Sequence, residues 1–353
     1  MPAKLRSSSA DSSQLALFDS KIQPTVELRS QNGQYKTIYS EKINMQLTEF
    51  PRPRFIEDIT NSLRAAASHN LENFKRRNII GHSSLDSLTE EEIRAIKKAA
   101  LRMPTNTSTS NSPLSRSWQL KYLKDFYDEV TTEGLGTFIK DVRFKKDVMN
   151  YSTFVGLYND SDFQSAYNRA LNAIKVGGEH PKVAFFLDMM KENPNKKVIV
   201  FVKHIHTAHM LSERLKEKGI SSEVLETVRS ANKNTKTKEQ RKQLVKRIKD
   251  GDFGIVIATS VGTTKSDVDM VVLYGNTDYA TSFIGRATNM GKIGDGGVRA
   301  LVSSDTREVN GGYRVWALLK ALHSNMLRDG NVLPTVEPRP RQKYLRYEST
   351  AEE

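Results

Sequence analysis

The stretch Lys197-Val-Ile-Val-Phe-Val202 decides the fold. An unbroken run of β-branched and aromatic residues is typical of a strand that is buried on both faces of a sheet. Helical spacing follows over 206–218. Similar strand-like runs, each separated by an amphipathic segment, lie at 222–228, 254–259, 270–274 and 298–303. Strands that alternate with helices predict an α/β fold over 176–330, with a doubly wound parallel sheet that helices cover on both faces.

A helical domain is predicted to precede the sheet, over 55–175. Apolar residues from Ile56 to Leu63 recur at helical spacing. A further helix is expected to begin near Ser87 or Thr89, because either hydroxyl can cap the acidic residues that follow.

The two ends of the chain are predicted to be disordered tails. Residues 1–30 are rich in Ser and Gln, and 331–353 are rich in Pro, Arg and Glu. Such compositions bury too little apolar surface to offset the entropy of ordering. Between the first tail and the helical domain, 31–54 are predicted to form an extended segment and linker, with a strand candidate at Thr37-Ile-Tyr39.

The composition favours an intracellular protein with an anionic partner. The 353 residues carry a formal net charge of +13, and nucleic acid is the usual partner of so basic a chain. Cys is absent, which excludes disulfides and thiolate metal sites. No apolar run approaches the roughly 18 residues that span a membrane, and no signal core opens the chain. The expected location is cytoplasmic and nucleoid-associated, or nuclear in a eukaryote.

Four segments occur in an order that resembles a known family. They read Asn78-Ile-Ile-Gly-His-Ser-Ser-Leu-Asp86, Glu179-His-Pro-Lys-Val183, Thr237-Lys-Glu-Gln240 and Ala258-Thr-Ser-Val-Gly262. Over residues 50–320 the chain is similar to the archaeal Hef and eukaryotic FANCM-type superfamily 2 DNA helicases. The resemblance implies that 55–175 match a helical insert that engages branched DNA, and that 180–320 match the RecA-like second motor lobe.

The nucleotide-binding motifs of the first motor lobe are not found in this sequence. It contains no G-x-x-x-x-G-K-[ST] phosphate loop and no Asp-Glu-x-His or Asp-Glu-x-Asp box. No cofactor is therefore expected, with ATP and magnesium entering only if a partner polypeptide supplies that lobe. No intrinsic ATPase activity is expected either.

The resemblance also indicates degenerate motifs in the second lobe. At motif V, Thr259 and Ser260 are expected to contact nucleic acid, but the chain then runs from Gly262 to Asp267 without the family's Gly-Leu-Asp element. Motif VI is represented by Gly285, Arg286, Asn289 and Lys292, and the last two occupy the arginine-finger places. A finger must present a fixed positive fork to the transferring phosphate, which Asn cannot do.

Two groups of basic residues are candidates for contact with the phosphate backbone. The first comprises Arg229, Lys233, Lys236, Lys238, Arg241, Lys242 and Lys246, and the second comprises Lys75, Arg76, Arg77, Lys97 and Lys98. Backbone contacts give salt-sensitive binding that is independent of sequence. The alternative for either group is an ordinary solvated surface.

Aromatic and histidine residues are further candidate sites. Trp118, Phe126 and Tyr127 could stack on bases, but their helical spacing favours core packing. The pattern H-x-H-x-x-H over 204–209 has no carboxylate or Cys to complete a metal set, so surface histidines are expected and no metal site.

A short motif lies in the first tail. Gln14-Leu-Ala-Leu-Phe18 resembles the pentapeptide by which proteins bind the bacterial sliding clamp, although Ala16 departs from its consensus. Gln14, Leu15, Leu17 and Phe18 would make the contacts, with the Leu-Phe pair filling an apolar pocket. The alternative is a chance match.

Three hypotheses of function follow. The first is a non-catalytic, helicase-like protein that binds forked or branched DNA in replication or repair and is tethered to a sliding clamp. The second is the C-terminal half of a split ATP-dependent DNA helicase, completed by a separate first-lobe subunit. The third is a protein-binding replication adaptor. Backbone contacts discriminate DNA from RNA poorly, so RNA stays open as the ligand.

Overall fold

The computed structural model describes residues 26–29, 36–40, 45–104, 112–148, 152–225, 238–259, 267–275, 293–306 and 308–309. The strands are β1 (Val26–Arg29), β2 (Lys36–Ser40), β3 (Met45–Phe50), β4 (Val198–Val202), β5 (Ser222–Leu225), β6 (Ile255–Ala258), β7 (Val268–Tyr274) and β8 (Ile293–Ser303). They form one eight-stranded sheet in the order β1-β2-β3-β8-β7-β4-β6-β5. The pairings from β3 to β5 are parallel, and β1 and β2 extend the sheet antiparallel.

Helices cover the sheet on both faces, as predicted. The helices α7 (Pro181–Glu192) and α8 (Ile205–Glu217) lie on one face, and α9 (Lys238–Lys249) lies on the other. Phe186 and Leu211 pack on the first face, whereas Leu244 and Ile248 pack on the second. All five residues of β4 are buried, which explains why its sequence is apolar without alternation.

A strand that precedes the helical region belongs to the main sheet. β3 pairs in parallel with β8, with Met45 opposite Val298, and Met45 and Leu47 are fully buried. The predicted extended segment and linker, 31–54, thus contains β2 and β3. The chain leaves the sheet after Phe50 and returns to it at β4, so the helical region is an insertion within the α/β fold.

The insertion contains α1 (Arg54–Arg76), α2 (Glu90–Ala100), α3 (Pro113–Asp128), α4 (Leu135–Val148), α5 (Ser152–Tyr158) and α6 (Ser161–Lys175). Its core includes Phe126, whose ring centroid lies 5.4 Å from that of Phe138 and 5.5 Å from that of Phe163. Thr89 caps α2 as predicted. Its hydroxyl accepts from the Glu92 N–H at 3.1 Å, and the Glu92 carboxylate accepts from the Thr89 N–H at 2.8 Å.

Among the residues that the structure describes, none of the helices is both long enough and apolar enough to cross a membrane.

Candidate nucleic-acid interface

The carboxyl ends of the parallel strands meet at one edge of the sheet. Arg52 follows β3, Lys203 follows β4, Thr259 follows β6 and Gly275 follows β7. Ligands of open parallel sheets bind outside this edge, since the strands end there and variable segments begin. The functional site is therefore expected along this edge, the carboxyl edge.

A cleft of about 720 Å³ lies between the carboxyl edge and the helical insertion. It is lined by Arg52, Asp86, Glu90, Lys124, Tyr127, Asp128, Thr131, Thr132, Lys203, Gly275, Asp305, Thr306 and Glu308. Five of these residues are acidic and three are basic. Two of the cations are already paired, Arg52 with Glu57 at 2.9 Å and Lys124 with Asp128 at 2.5 Å. The cleft is therefore a poor site for an anion.

A buried ion pair lies beneath the cleft. The Lys182 Nζ atom is 3.1 Å from the Glu308 Oε2 atom and 4.6 Å from the centroid of the Tyr274 ring. Burial raises the pKa of Glu308 to about 7, although the positive charge of Lys182 acts to lower it. Gly275 makes room for this pair, because a Cβ there would lie 2.2 Å from Glu308 Oε1. Its φ of +70° also favours glycine.

His180 joins the insertion to the sheet. Its Nδ1 atom accepts from the Lys182 N–H at 3.2 Å, so the neutral ring carries its proton on Nε2. That Nε2 lies 3.1 Å from the Thr131 carbonyl oxygen and 3.2 Å from Ser303 Oγ, at the end of β8. Burial, with the nearby charge of Lys182, holds the pKa of His180 well below its ordinary value. The imidazole is therefore a structural bridge that stays neutral.

Glu179 fixes the start of α4. Its carboxylate accepts from the Leu135 N–H at 2.6 Å and from the Gly136 N–H at 3.2 Å, two donors that the first turn of a helix leaves unpaired. Burial raises the pKa of Glu179, and these backbone donors oppose that shift. A single π-helical turn, Glu129–Glu133, precedes α4. Its Glu133 carbonyl accepts from the Tyr274 hydroxyl at 3.1 Å, so this turn contacts the end of β7.

The basic residues predicted in the insertion lie on its surface. Lys75, Arg76 and Arg77 are exposed at the end of α1, and Lys98 is exposed near the end of α2. The two helix ends are neighbours, since Arg77 Nη1 lies 3.5 Å from the Met103 sulfur just after α2. The structure thus brings these two runs of basic residues to neighbouring helix ends.

The basic helix α9 lies elsewhere. Lys242 and Lys246 are exposed and Arg241 is partly buried, while Leu244 and Ile248 face the sheet. The insertion docks on α8, through Lys140–Glu213 at 2.7 Å and Thr137–Thr207 at 3.4 Å, on the opposite face from α9. The two basic groups therefore lie on opposite sides of the sheet.

Several predicted site residues lie outside the described residues. They are Arg229, Lys233 and Lys236, Ser260 and Gly262, Gly285, Arg286, Asn289 and Lys292, and the tail residues Gln14, Leu15, Leu17 and Phe18. Of Lys238 only the backbone is described. Of the predicted motif V residues on either side of 260–266, Thr259 is half-buried and Asp267 is exposed.

The three histidines do not form a metal site in the described part of the chain. His206 Nε2 lies 3.3 Å from Asp141 Oδ1, and the ring of His206 packs 5.2 Å from that of Phe144. No group of three or more His, Asp or Glu side chains suited to a metal ion occurs among the described residues. His204 and His206 are partly buried, whereas surface positions were expected.

Sequence reasoning missed most of the buried contacts that join the insertion to the sheet. Glu308, Tyr274 and Gly275 carry no motif, and a charged residue such as Glu308 is not expected in a core. The segment Glu179-His-Pro-Lys182 was a signal, because it marked the family resemblance, but its role in joining the insertion to the sheet depends on partners distant in sequence.

Comparison with known proteins gives a partial match. Residues 181–294 match the family of the helicase conserved C-terminal domain. The ATP-dependent RNA helicase ROK1 of Scheffersomyces stipitis is 29% identical over 115 residues, which are 31% of this chain and 19% of ROK1. The pre-mRNA-splicing ATP-dependent RNA helicase PRP28 of Cryptococcus neoformans var. neoformans is 25% identical over 139 residues, 38% of this chain and 18% of PRP28. The chain thus spans about a fifth of the length of these curated relatives.

A solved structure shares the fold. The crystal structure of the Pyrococcus furiosus Hef helicase domain aligns with a TM-score of 0.57 at 20% identity, covering 76% of this chain and 57% of that chain. The predicted α/β, RecA-like fold is confirmed. Residues 181–294 are thus similar to the C-terminal domain of helicases, and the likeness to the Hef helicase domain shows a shared fold. The narrower resemblance to Hef and FANCM-type DNA helicases stays a prediction.

Proposed function

We propose that this chain is a non-catalytic, helicase-like protein that binds forked or branched DNA in replication or repair. The proposal divides the chain into a DNA-engaging insertion, 55–175, and a lobe over 176–330. One observation carries it. The insertion leaves the sheet after β3, is fixed at the carboxyl edge by Glu179 and His180, and carries exposed cations at the neighbouring ends of α1 and α2.

The charges support a ligand with a phosphate backbone. Lys75, Arg76, Arg77 and Lys98 are exposed on the insertion, and Lys242 and Lys246 are exposed on α9. Cations on both sides of the sheet suit a ligand with more than one arm better than a single straight duplex. Phosphate contacts of this kind bind with little regard to sequence and weaken steeply with salt.

The absence of catalysis is proposed from the sequence of motif VI. Asn289 and Lys292 stand at the places that the family resemblance assigns to arginine fingers. Asn carries no charge, and Lys lacks the planar fork of Arg, so neither reproduces a finger. Purified protein should show no ATP turnover above a buffer blank in the presence of DNA, and turnover that survives a second affinity step would contradict this part of the proposal.

Competition binding tests the main proposal. Fork, four-way junction, linear duplex and single-stranded RNA of equal length would compete for the protein against one labelled fork. We expect the fork and the junction to compete best. Equal competition by linear duplex would remove the branch preference, and stronger competition by RNA would assign the protein to RNA instead.

Paired variants locate the binding surface. The variant Lys75→Ala/Arg76→Ala removes two exposed cations from the insertion, and Lys216→Ala/Lys218→Ala removes two exposed cations from the end of α8. The first variant should bind forks more weakly and the second should bind like the wild type. Equal losses would mean that net charge alone drives binding.

Tethering to a sliding clamp is a further part of the proposal. Leu17 and Phe18 would anchor the tail motif, and a short peptide that must order on binding should have roughly micromolar affinity. A peptide of residues 10–22 titrated against the clamp of the same organism tests it, with Leu17→Ala/Phe18→Ala as the control. No saturable binding at high micromolar concentration would make the motif a chance match.

A split enzyme is the second candidate. It is favoured by one observation, namely that β3 and the five strands of the lobe form an intact parallel sheet with helices on both faces. In that case a separate polypeptide would contribute the nucleotide-binding motifs. The test is to add a purified first lobe and to measure ATP hydrolysis in the presence of DNA. The split-enzyme candidate predicts more hydrolysis by the mixture than by the first lobe alone, whereas the non-catalytic proposal predicts the same rate for both.

A further inference from the structure

The four aromatic residues of α3 differ in their environment. Phe126 and Tyr127 are buried in the core of the insertion, and Tyr122 is partly buried with its ring centroid 6.2 Å from that of Trp118. Trp118 keeps 40% of its surface exposed. At about 100° per residue, Trp118 points roughly 160° away from Leu120, which is fully buried. Core packing therefore does not account for the exposed part of this tryptophan.

Trp118 lies among cations. The Lys97 Nζ atom is 3.5 Å from the centroid of the indole ring, well within the range of a cation–π contact. Burial, together with the charge of Lys121, lowers the pKa of Lys97. Lys97 thus contacts the ring directly, and the charge of Lys121, on the same helix as Trp118, acts on Lys97.

Exposed cations lie next to this contact. Lys97 belongs to α2, and Lys98 beside it is exposed, at a helix end that neighbours the exposed Lys75, Arg76 and Arg77 of α1. Lys121 is already paired with Asp125 at 2.8 Å, so it is less suited to phosphate. A nucleic-acid strand whose phosphates met the exposed cations would bring a base next to the Trp118 ring.

We propose that Trp118 is a stacking platform for one unpaired nucleobase, placed beside the exposed cations at the ends of α1 and α2 that receive the backbone of the same strand. The inference rests on the proposed function and adds the kind of nucleotide that is recognised. Every base has an aromatic face, so stacking on an exposed indole tolerates any sequence. A base inside a duplex has both faces covered by its neighbours, so only a flap, a gap or a branch point can supply the partner.

This assignment separates two contributions to binding. The exposed cations contact phosphates and cannot distinguish paired from unpaired strands. The indole contributes only when an unpaired base is present. Trp118 would therefore provide part of the preference for branched over linear DNA, while the cations provide general affinity.

Tryptophan fluorescence gives a direct test, because the chain has two tryptophans, Trp118 and Trp316. The variant Trp316→Phe leaves Trp118 as the only indole. Its emission would be followed during titration with a fork that has unpaired dT arms and with a blunt duplex. Anisotropy of a labelled strand would report binding in the same samples. We expect quenching by the fork and little change with duplex at equal saturation.

Affinity measurements with full-length variants complete the test. Stacking of one base corresponds to a loss of about 5- to 150-fold on replacement by alanine. Trp118→Ala should weaken binding to the armed fork by that factor and leave blunt duplex within about twofold. Trp118→Phe should recover most of the loss. The matched control is Val155→Ala, an exposed apolar residue on α5 that should leave both affinities unchanged.

Each contrary outcome is distinguishable. Fork binding without quenching, or equal losses for fork and duplex in Trp118→Ala, would overturn the stacking role and leave the proposed DNA binding intact. Failure of Trp118→Phe to recover affinity while it melts like the wild type would also overturn it. Absence of binding to any nucleic acid would remove both the proposed function and this inference.

Discussion

Lys182 and Glu308 are 126 positions apart in the sequence, yet their side chains form an ion pair of 3.1 Å in the interior. The pair connects the first turn of α7 to the residues after β8, and the Glu308 carboxylate also accepts from the Ser303 N–H at 2.8 Å. It lies directly below the cleft at the carboxyl edge. A buried pair is weak evidence for stability in itself, but breaking it by removing one partner is strongly destabilising.

The first prediction concerns loss of the cation. Lys182→Met keeps most of the apolar stem but leaves Glu308 without its counter-charge. We expect a loss of about 3–5 kcal/mol in the free energy of unfolding at pH 8. The loss should be smaller at pH 5, because the raised pKa of Glu308 allows the carboxyl to take up a proton. Urea denaturation at both pH values measures this, and an equal loss at both would contradict it.

The second prediction concerns pH. Burial raises the pKa of Glu308 from an ordinary value of 4.5 to about 7 in the folded protein. A raised pKa means that the folded state binds the proton more tightly than the unfolded state. The favourable contribution is therefore complete below pH 4.5 and is lost as the pH rises through about 7.

The comparison variant for this pH dependence is Glu308→Gln, which mimics the protonated carboxyl. Wild-type stability should fall relative to that of Glu308→Gln between pH 5 and pH 8. Other groups that titrate, such as His180, are present in both proteins and cancel in the difference. Parallel stability profiles for the two proteins would show that Glu308 titrates normally.

The strands of the lobe could be predicted from the sequence because their signal is local. β4 is an apolar run buried on both faces, and its pattern needs no knowledge of its neighbours. β3 could not be assigned to the sheet in this way. Met45-Gln-Leu-Thr-Glu-Phe50 mixes polar and apolar residues, and its parallel partner β8 lies about 250 positions away. The sequence therefore predicts the insertion as a preceding domain, although three strands of the sheet, β1 to β3, come before it.

The side chains of the site were less predictable than the fold. Helical spacing placed Trp118 with Phe126 and Tyr127, but the buried stripe of α3 passes through Leu120 and Leu123 on the far side from Trp118. Only the packing of α3 against its neighbours decides which face is covered. The same is true of Glu308, whose burial depends on a lysine in a distant helix.

The third prediction concerns the attachment of the insertion. Glu179→Ala removes the acceptor for the Leu135 and Gly136 N–H groups at the start of α4. A buried donor left unpaired costs about 1–3 kcal/mol. Amide hydrogen exchange at these two positions should accelerate, and the preference for forks should decline. Glu179→Gln keeps one acceptor oxygen and should have a smaller effect. Unchanged exchange in Glu179→Ala would show that water or another group replaces the carboxylate.

The last prediction concerns α9, where Lys242 and Lys246 project from the face opposite the buried Leu244 and Ile248. If these lysines contact phosphates, Lys242→Ala/Lys246→Ala should weaken binding to fork and duplex alike. Each lost contact should also reduce the slope of log affinity against log salt by about 0.9. Arg247 nearby is held by Glu223 at 2.7 Å and by Asp252 at 3.2 Å, so its charge is partly offset within the protein.

Arg247→Ala is accordingly the matched control on the same helix, and it should change the salt slope less than loss of either lysine alone. Binding measured at salt concentrations from about 50 to about 300 mM gives the slopes, because affinity that rests on phosphate contacts falls over this range. A double lysine variant with the wild-type slope would make α9 a solvated surface. Because α9 and the insertion lie on opposite faces of the sheet, DNA binding would then be confined to the insertion and the carboxyl edge.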